Sequence, residues 1–170
     1  LTNKGLAKHD KLKLVTHCLE NESVGEENLL QEYLVYKLYQ VLTPNSFRVQ
    51  LVRIQYLDTS GRLSGFTRYG FVIESLSELE ERINGKECEE CTYQTVDSFA
   101  KEASSIHAMF QYLIGNADYS IPVLRNVKLV RDGNSGKLIP IGYDFDFAGL
   151  VDAPYALPSN HLGQITIKQR

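Results

Sequence analysis

The chain has 170 residues, 43% of them apolar, which is enough for one compact domain or for two small lobes around a cleft. Its 18 Lys and Arg against 21 Asp and Glu give a formal net charge of −3, which argues against a general nucleic-acid binder, and no apolar run approaches the ~20 residues of a membrane-spanning helix. The composition therefore predicts a globular chain without a transmembrane segment or a nucleic-acid partner.

The N-terminal part of the chain predicts a strand followed by a long helix. Residues 12–16 alternate apolar and polar side chains, as in a strand, with Lys11 and Lys13 on one face. A turn is expected over 21–25, and the acidic residues after it begin a helix over 26–42. The apolar side chains of this helix are a stripe of Leu30, Leu34, Leu38 and Val41, widened by Tyr33, Tyr36 and Tyr39. We expect a helix so widely apolar to be packed on more than one side.

The rest of the chain predicts two hairpins and two further helices. In chain order, the expected elements are strands over 47–57 and 69–73, a short helix over 75–84, a polar connector over 85–97, a helix over 98–114, and strands over 126–130 and 138–143. The turn residues 58–61 predict that the first two strands pair as a hairpin, and residues 132–136 join the last two. A hinge is expected between about 74 and 95.

Cys88 and Cys91 are the closely spaced pair among the three cysteines of the chain. They could form half of a zinc site, a redox pair, or a loop pair able to form a disulfide. Structural zinc usually has four Cys or His ligands, and the remaining candidates, Cys18 and His17, are far upstream. A redox pair normally begins a helix, whereas this pair follows a polar stretch. We favour the loop interpretation.

Four polar residues in the C-terminal third form the most informative pattern. Asp118 lies in a loop, Asn126 follows eight residues later, and Asp144 and Asp146 come directly after the last apolar strand. A hairpin would bring these side chains to one end. Carboxylate and amide oxygens suit a hard cation such as Mg²⁺, and the loop aspartate could then orient or deprotonate a hydroxyl. The alternative is that these residues only stabilise turns, as loop Asp and Asn commonly do.

Two other kinds of hydrolytic chemistry are less well supported by the sequence. Asp144 and Asp146 on one strand face would lie about 7 Å apart, a separation compatible with a glycosidase carboxylate pair. However, the chain has no Trp and no evident aromatic platform for a sugar. The Ser-Ser-Ile-His segment at 104–107 lacks the strand–turn–helix setting of a serine nucleophile, which argues against acyl transfer.

The order of these parts matches a phosphotransferase of protein-kinase type, in which a strand lysine, a helix glutamate, a loop aspartate and metal ligands follow one another. Gly115-Asn-Ala-Asp118, Asn126 and Tyr143-Asp-Phe-Asp146 resemble the catalytic and metal-binding segments of the spore-coat CotH family of atypical kinases. Residues 32–42 and the hairpin that ends at 70–74 resemble the N-lobe of that family. The C-terminal third also resembles uncharacterised bacterial proteins related to it.

The resemblance implies an α+β, two-lobed protein-kinase-like fold that is truncated at both ends. No glycine-rich loop precedes Lys13, and the C-lobe helices of such a fold would follow Arg170. Residues 1–74 would form the N-lobe-like part, and residues 75–170 a partial C-lobe with the catalytic and metal-binding loops.

The resemblance also implies ATP and Mg²⁺ as cofactors and assigns the nucleotide-binding residues. Lys13 would contact the nucleotide phosphates, with Lys11 as the alternative, and Glu32 would pair with that lysine. Glu74 and the segment after it would form the hinge near the adenine ring.

The remaining roles follow the family's motifs in the same way. Asp118 matches the catalytic-loop aspartate that positions the acceptor hydroxyl, and Asn126 and Asp144 match the metal ligands. Asp146 stands where protein kinases have the glycine of Asp-Phe-Gly, and it could take a second cation or bond a backbone amide.

The function implied is phosphoryl transfer to a protein hydroxyl, with a small-molecule hydroxyl as another acceptor. The alternative is a catalytically inactive pseudokinase or interaction domain of the same fold. CotH-like proteins occur in spores and at cell surfaces, which slightly favours an exported or cell-surface location over a cytoplasmic one. The sequence leaves the oligomeric state open.

Overall fold

The computed structural model of the chain describes residues 12–19, 21–62, 64–158 and 163–168. Lys11, the alternative to Lys13 as a phosphate ligand, lies outside these ranges. Within them, no helix has both the length and the apolar character needed to cross a membrane.

The described residues form a mixed α+β structure with three α-helices and two small antiparallel sheets. In chain order, the elements are β1 (Lys13–Thr16), α1 (Glu22–Leu42), β2 (Val49–Tyr56), β3 (Phe66–Ile73), α2 (Leu76–Arg82), β4 (Gly85–Glu87), a 3₁₀ turn (Val96–Ser98), α3 (Lys101–Ile114), β5 (Val127–Asp132) and β6 (Leu138–Gly142). The strand orders are β1-β3-β2 in the first sheet and β4-β5-β6 in the second. The predicted α+β class and both predicted hairpins are confirmed.

Helix α1 begins four residues earlier than the sequence predicts. Asn21 is its N-cap, since the Asn21 side chain accepts a hydrogen bond from a backbone N–H of the first turn, so the expected turn over 21–25 is wrong. Gly25 is a buried helical residue rather than a turn residue. A Cβ there would lie 2.9 Å from the carbonyl oxygen of Leu19, so the close approach of the preceding segment requires glycine.

The face of α1 that is buried is not its leucine stripe. Leu34, Leu38 and Val41 are exposed, whereas the buried residues of the helix are Gly25, Leu29, Glu32, Val35, Tyr36 and Tyr39. Tyrosine rings at helical spacing therefore supply most of the buried aromatic surface of α1. The expectation that these tyrosines belong to the core is confirmed for Tyr36 and Tyr39.

The connector over 85–97 contains a short strand that the sequence did not predict. Strand β4 has three residues, which is too short for an alternation to be visible, and it pairs with the edge of β5. Cys88 and Cys91 follow it directly and form a disulfide. The Arg131 guanidinium lies 3.5 Å from the sulfur of Cys88 and 3.3 Å from that of Cys91. The loop interpretation of this pair is confirmed.

One aromatic core joins α1 to both sheets. The Tyr39 ring stacks on Phe110 of α3 with centroids 4.3 Å apart, while the Tyr36 ring contacts Phe71 of β3 and Phe145 just after β6. All five side chains are buried. Because Phe145 stands between Asp144 and Asp146, the core directly anchors the segment that carries these two carboxylates.

His107 is a fully buried histidine within this core. It is 0% exposed, and its Nδ1 lies 3.1 Å from the hydroxyl of Tyr39. Burial lowers the pKa of His107 to about 4. The imidazole is therefore neutral at pH 7 and acts as a packing residue.

We expect acid to destabilise the chain through His107. The folded pKa is about 4, whereas an unfolded histidine titrates near 6.5, so the unfolded state binds more protons between these values. Stability is intact at pH 7 and falls by about 2–3 kcal/mol as the pH drops from 6.5 to 4. Urea unfolding at pH 7 and pH 4.5 measures this loss. A His107→Gln variant should lack this part of the pH dependence, and an equal loss in the variant would contradict the assignment.

Candidate active site

Asp118 is held in place by the turn that follows α3. The helix ends at Gly115, whose φ of 65° is in the left-handed region that favours glycine. The buried Asn116 donates its amide N–H to Gln111 Oε1, 2.9 Å away, and its Oδ1 accepts the backbone N–H of Asp118 at 2.9 Å. The backbone of Asp118 is therefore fixed from the end of α3.

Asp118 and Asn126 lie at the same end of the hairpin, as the sequence predicts, and the structure shows them in direct contact. Asn126 Nδ2 donates to the Asp118 carboxylate at 3.0 Å and to the Asp118 backbone carbonyl at 2.8 Å. Arg125 Nε lies 3.5 Å from the other carboxylate oxygen. These bonds commit the amide NH₂ of Asn126, so its Oδ1 is the atom that remains to serve as a ligand.

Asp144 and Asp146 follow β6 at the open end of the β5–β6 hairpin. The Tyr143 N–H donates to the Asn126 carbonyl at 3.1 Å, which places Asp144 one residue beyond this bond. The Asp144 backbone N–H donates to the Tyr36 hydroxyl at 2.9 Å, its φ is 62°, and its side chain is exposed. The turn at Asp144 is thus held by α1 through Tyr36.

The carboxylate of Asp146 is close to two other carboxylates. It is half-buried, and it accepts hydrogen bonds from the Tyr155 hydroxyl and the Phe147 N–H. Burial raises its pKa, and the charges of Asp144 and Asp118 raise it further. A cation bound at this end of the hairpin would offset the repulsion among these acidic groups.

Glu32 is directed to the same segment from α1. It is 6% exposed, and the backbone N–H of Phe145 donates to its carboxyl group. Burial raises the pKa of Glu32 to about 8, with further contributions from Asp146 and Asp144, while Lys13 acts in the opposite direction. The structure therefore brings Glu32 to the segment that carries Asp144 and Asp146.

Lys13 lies near Glu32, and its ammonium group contacts an aromatic ring. Its Nζ is 5.2 Å from the centroid of the Tyr143 ring, and the side chain is exposed. Among the ion pairs of the described ranges, none within 4 Å joins Lys13 to Glu32. The predicted pairing of these two residues stays a prediction.

Glu74 follows β3 and uses its side chain in a structural cluster. The register pairs Lys13 with Ile73, so Glu74 lies one residue beyond the neighbour of Lys13. Its carboxylate accepts bonds from Arg82 at 2.8 and 2.9 Å and from the Arg48 N–H at 2.9 Å. These bonds connect the end of β3 to α2. Because the carboxylate is already engaged in them, the backbone of Glu74 is the part of the residue that would serve the predicted hinge near the adenine ring.

The oxygen donors of Asp144, Asp146 and Asn126 suit Mg²⁺ better than they suit a metal ion that needs all of its ligands from the protein. In the part of the chain that the structure describes, no group of three or more His, Cys, Asp or Glu side chains is arranged to hold a metal ion. Mg²⁺ commonly binds one or two carboxylates and completes its coordination with substrate phosphates and water. Asp144 and Asn126 Oδ1, with Asp146 nearby, offer donors of this kind.

Sequence reasoning missed the residues that support the site. The Tyr36 hydroxyl bonds the backbone of Asp144, and the Tyr155 hydroxyl bonds the carboxylate of Asp146. Asn116 bonds the backbone of Asp118. Only Asn116 had a local signal, since an asparagine two residues before a loop aspartate is typical of an Asx turn. Tyr36 is 108 residues from the Asp144 backbone that it bonds, and Tyr155 lies in a segment with no regular period.

Comparison with protein-family models gives no match, and comparisons with curated proteins and with solved structures give none either. The resemblance to the CotH family stays a prediction. Function must therefore be inferred from the chemistry of the site.

Proposed function

We propose that the chain belongs to an ATP- and Mg²⁺-dependent phosphotransferase of CotH-like atypical kinase type, with a two-lobed protein-kinase-like fold. The proposed acceptor is a protein hydroxyl, with a small-molecule hydroxyl as the other candidate. The observation that carries this proposal is the convergence of Asp118, Asn126 and Asp144 at the open end of the β5–β6 hairpin.

The geometry of Asp118 suits a residue that orients an acceptor hydroxyl. Its carboxylate is held by Asn126 Nδ2 and faces Arg125, so its orientation is set before a substrate arrives. A carboxylate placed in this way accepts the hydroxyl proton at one of its oxygens as the phosphoryl group is transferred. Phosphoryl transfer depends mainly on such positioning and on stabilisation of charge.

Asp144 and Asn126 Oδ1 are the proposed metal-holding groups, with Asp146 as a second carboxylate beside them. These residues would hold Mg²⁺, which would supply positive charge to offset the negative charge of the nucleotide phosphates. Asp146 follows Asp144 by two residues and interacts electrostatically with both Asp144 and Asp118, which is consistent with a shared site for a cation. Lys13 adds a positive charge near Glu32 and over the ring of Tyr143, the residue directly before Asp144, and it is the proposed phosphate ligand.

The arrangement of elements supports two lobes. Strands β1, β2 and β3 with α1 have the composition of a kinase-type N-lobe, and β4 to β6 with α3 carry the proposed catalytic and metal-binding loops. The residues between Glu74 and β4 connect the two groups. The aromatic core around Tyr36 and Phe145 would couple the N-lobe helix to the metal-binding segment.

Phosphotransfer by the 170-residue chain tests this proposal directly. The assay contains ATP, Mg²⁺ and either a hydroxyl-rich protein or water as the phosphoryl acceptor. We expect Asp118→Asn to lower the rate of phosphoryl transfer about 100-fold or more and to leave the affinity for the nucleotide unchanged. Asp144→Asn should instead abolish the Mg²⁺-dependent thermal stabilisation by ATP. The matched control is Asp97→Asn, an exposed aspartate outside the site, which should behave like the unmodified chain.

Two results would contradict this proposal in different ways. Phosphotransfer that survives Asp118→Asn unchanged would contradict the role given to this residue. Mg²⁺-dependent ATP binding without transfer or hydrolysis would favour the alternative that the sequence also allows, a pseudokinase or interaction domain.

A further inference from the structure

We propose that Tyr143 is a positioning residue for Lys13, and that its ring takes the place assigned by resemblance to Glu32 in holding the lysine ammonium at the nucleotide site. The Lys13 Nζ lies 5.2 Å from the centroid of the Tyr143 ring. A cation within about 6 Å of a ring face is attracted to the negative face of the π system. The value of this contact for nucleotide binding rests on the function proposed above, whereas the contact itself does not.

The Tyr143 ring is a fixed platform rather than a mobile surface side chain. Phe47 packs edge-on against it, with ring centroids 6.3 Å apart and an interplanar angle of 83°. Its backbone N–H donates to Asn126 at 3.1 Å, at the end of the β5–β6 hairpin. The half-buried ring is thus held both by Phe47, which lies just before β2, and by the β5–β6 hairpin.

Among the residues that the structure describes, Lys13 is the cation that remains available beside this ring. Lys128 also lies near Tyr143, but its Nζ is 2.8 Å from the carboxylate of Glu87. Glu32, the partner that resemblance assigns to Lys13, is buried and accepts from the backbone N–H of Phe145 instead. Lys13 forms no ion pair with it within 4 Å, so within the described part of the chain the aromatic contact is the one that orients its ammonium group.

The contact has a functional consequence because Tyr143 directly precedes Asp144. A ring that holds Lys13 keeps the cation next to the proposed metal ligand, where nucleotide phosphates would meet both groups. An aromatic contact to an exposed lysine is worth about a three- to fivefold change in affinity. Tyr143→Leu removes the π face, whereas Tyr143→Phe keeps it and removes only the hydroxyl.

The first measurement needs no nucleotide. Lysine amines of the full chain are converted to ¹³C-dimethylamines, which keep their charge, and the Lys13 resonance is identified by its loss in Lys13→Arg. We expect an upfield ring-current shift of this resonance in the unmodified chain and in Tyr143→Phe, and its loss in Tyr143→Leu. An unchanged shift in Tyr143→Leu would overturn the inference.

The second measurement is the Kd for ATP with Mg²⁺. Tyr143→Leu should weaken binding about three- to fivefold, Tyr143→Phe should leave it within about twofold, and the effect of Tyr143→Leu should vanish in a Lys13→Met background. An equal weakening in that background would mean that Tyr143 acts through structure alone, against the inference. If the chain binds no ATP, the proposed function fails, and the ring-current shift still decides whether Tyr143 positions Lys13.

Discussion

The Glu32→Gln variant is expected to be more stable than the unmodified, metal-free chain at pH 8 and above, by roughly 3–5 kcal/mol. Glu32 is 6% exposed, and burial, followed by the charges of Asp146 and Asp144, raises its pKa to about 8. Ionising this carboxyl in the folded chain is therefore costly. A glutamine of the same shape removes the charge and can still accept the Phe145 N–H.

The sign of this effect follows from the proton balance of Glu32. The folded chain keeps the proton up to about pH 8, while the unfolded chain releases it near the ordinary value of 4.5. Between these values the folded state binds more protons, so stability falls as the pH rises. Below about pH 4.5 the residue makes no difference. His107 acts in the opposite direction as the pH falls from 6.5 to 4, so each effect must be read from its own variant.

Urea unfolding from pH 5 to pH 9 in the presence of EDTA measures the Glu32 effect. The gap between Glu32→Gln and the unmodified chain should widen with pH. Glu27→Gln is the matched control on the same helix, because Glu27 is exposed, and it should stay within about 0.5 kcal/mol of the unmodified chain throughout. A gap that is constant with pH would show that Glu32 ionises normally in the folded chain.

Phe145→Ala is expected to destabilise the chain by about 3–5 kcal/mol. The Phe145 side chain is 0% exposed, and its ring lies 4.8 Å from that of Tyr36 and 5.9 Å from that of Phe110. Alanine would leave a cavity at the point where α1, α3 and the segment after β6 meet, and the surrounding rings can only partly fill it.

Thermal and urea unfolding measure this loss. Phe147→Ala, two residues further on, is the control, because Phe147 is only partly buried and its ring contacts Tyr155 at the edge of the core. We expect a smaller cost there, about 1–2 kcal/mol. Equal costs for the two variants would contradict a central role for Phe145. Because Phe145 anchors Asp144 and Asp146, Phe145→Ala should also weaken Mg²⁺-dependent nucleotide binding if the proposed function is right.

Much of the candidate site could be predicted from local sequence. Asp118, Asn126 and Asp144 stand out because a polar loop and two apolar strands bring them to one hairpin end, and the structure joins Asp118 to Asn126 directly. The partners of these residues could not be predicted in the same way. Tyr36 bonds the Asp144 backbone across 108 residues, and no local pattern reports a contact over that distance.

The sequence by itself determined the α+β class, both hairpins, and the short helix α2, whose Ser75 and Glu78 form a capping box. These features depend on interactions between residues close in the chain, which local patterns record. Only the tertiary structure decided which face of α1 is buried, that Glu32 meets the Phe145 backbone, and that Lys13 lies over Tyr143. The physical reason is that burial and charge pairing depend on which distant elements pack together. An apolar stripe or a single charge on one helix does not show which element will pack against it.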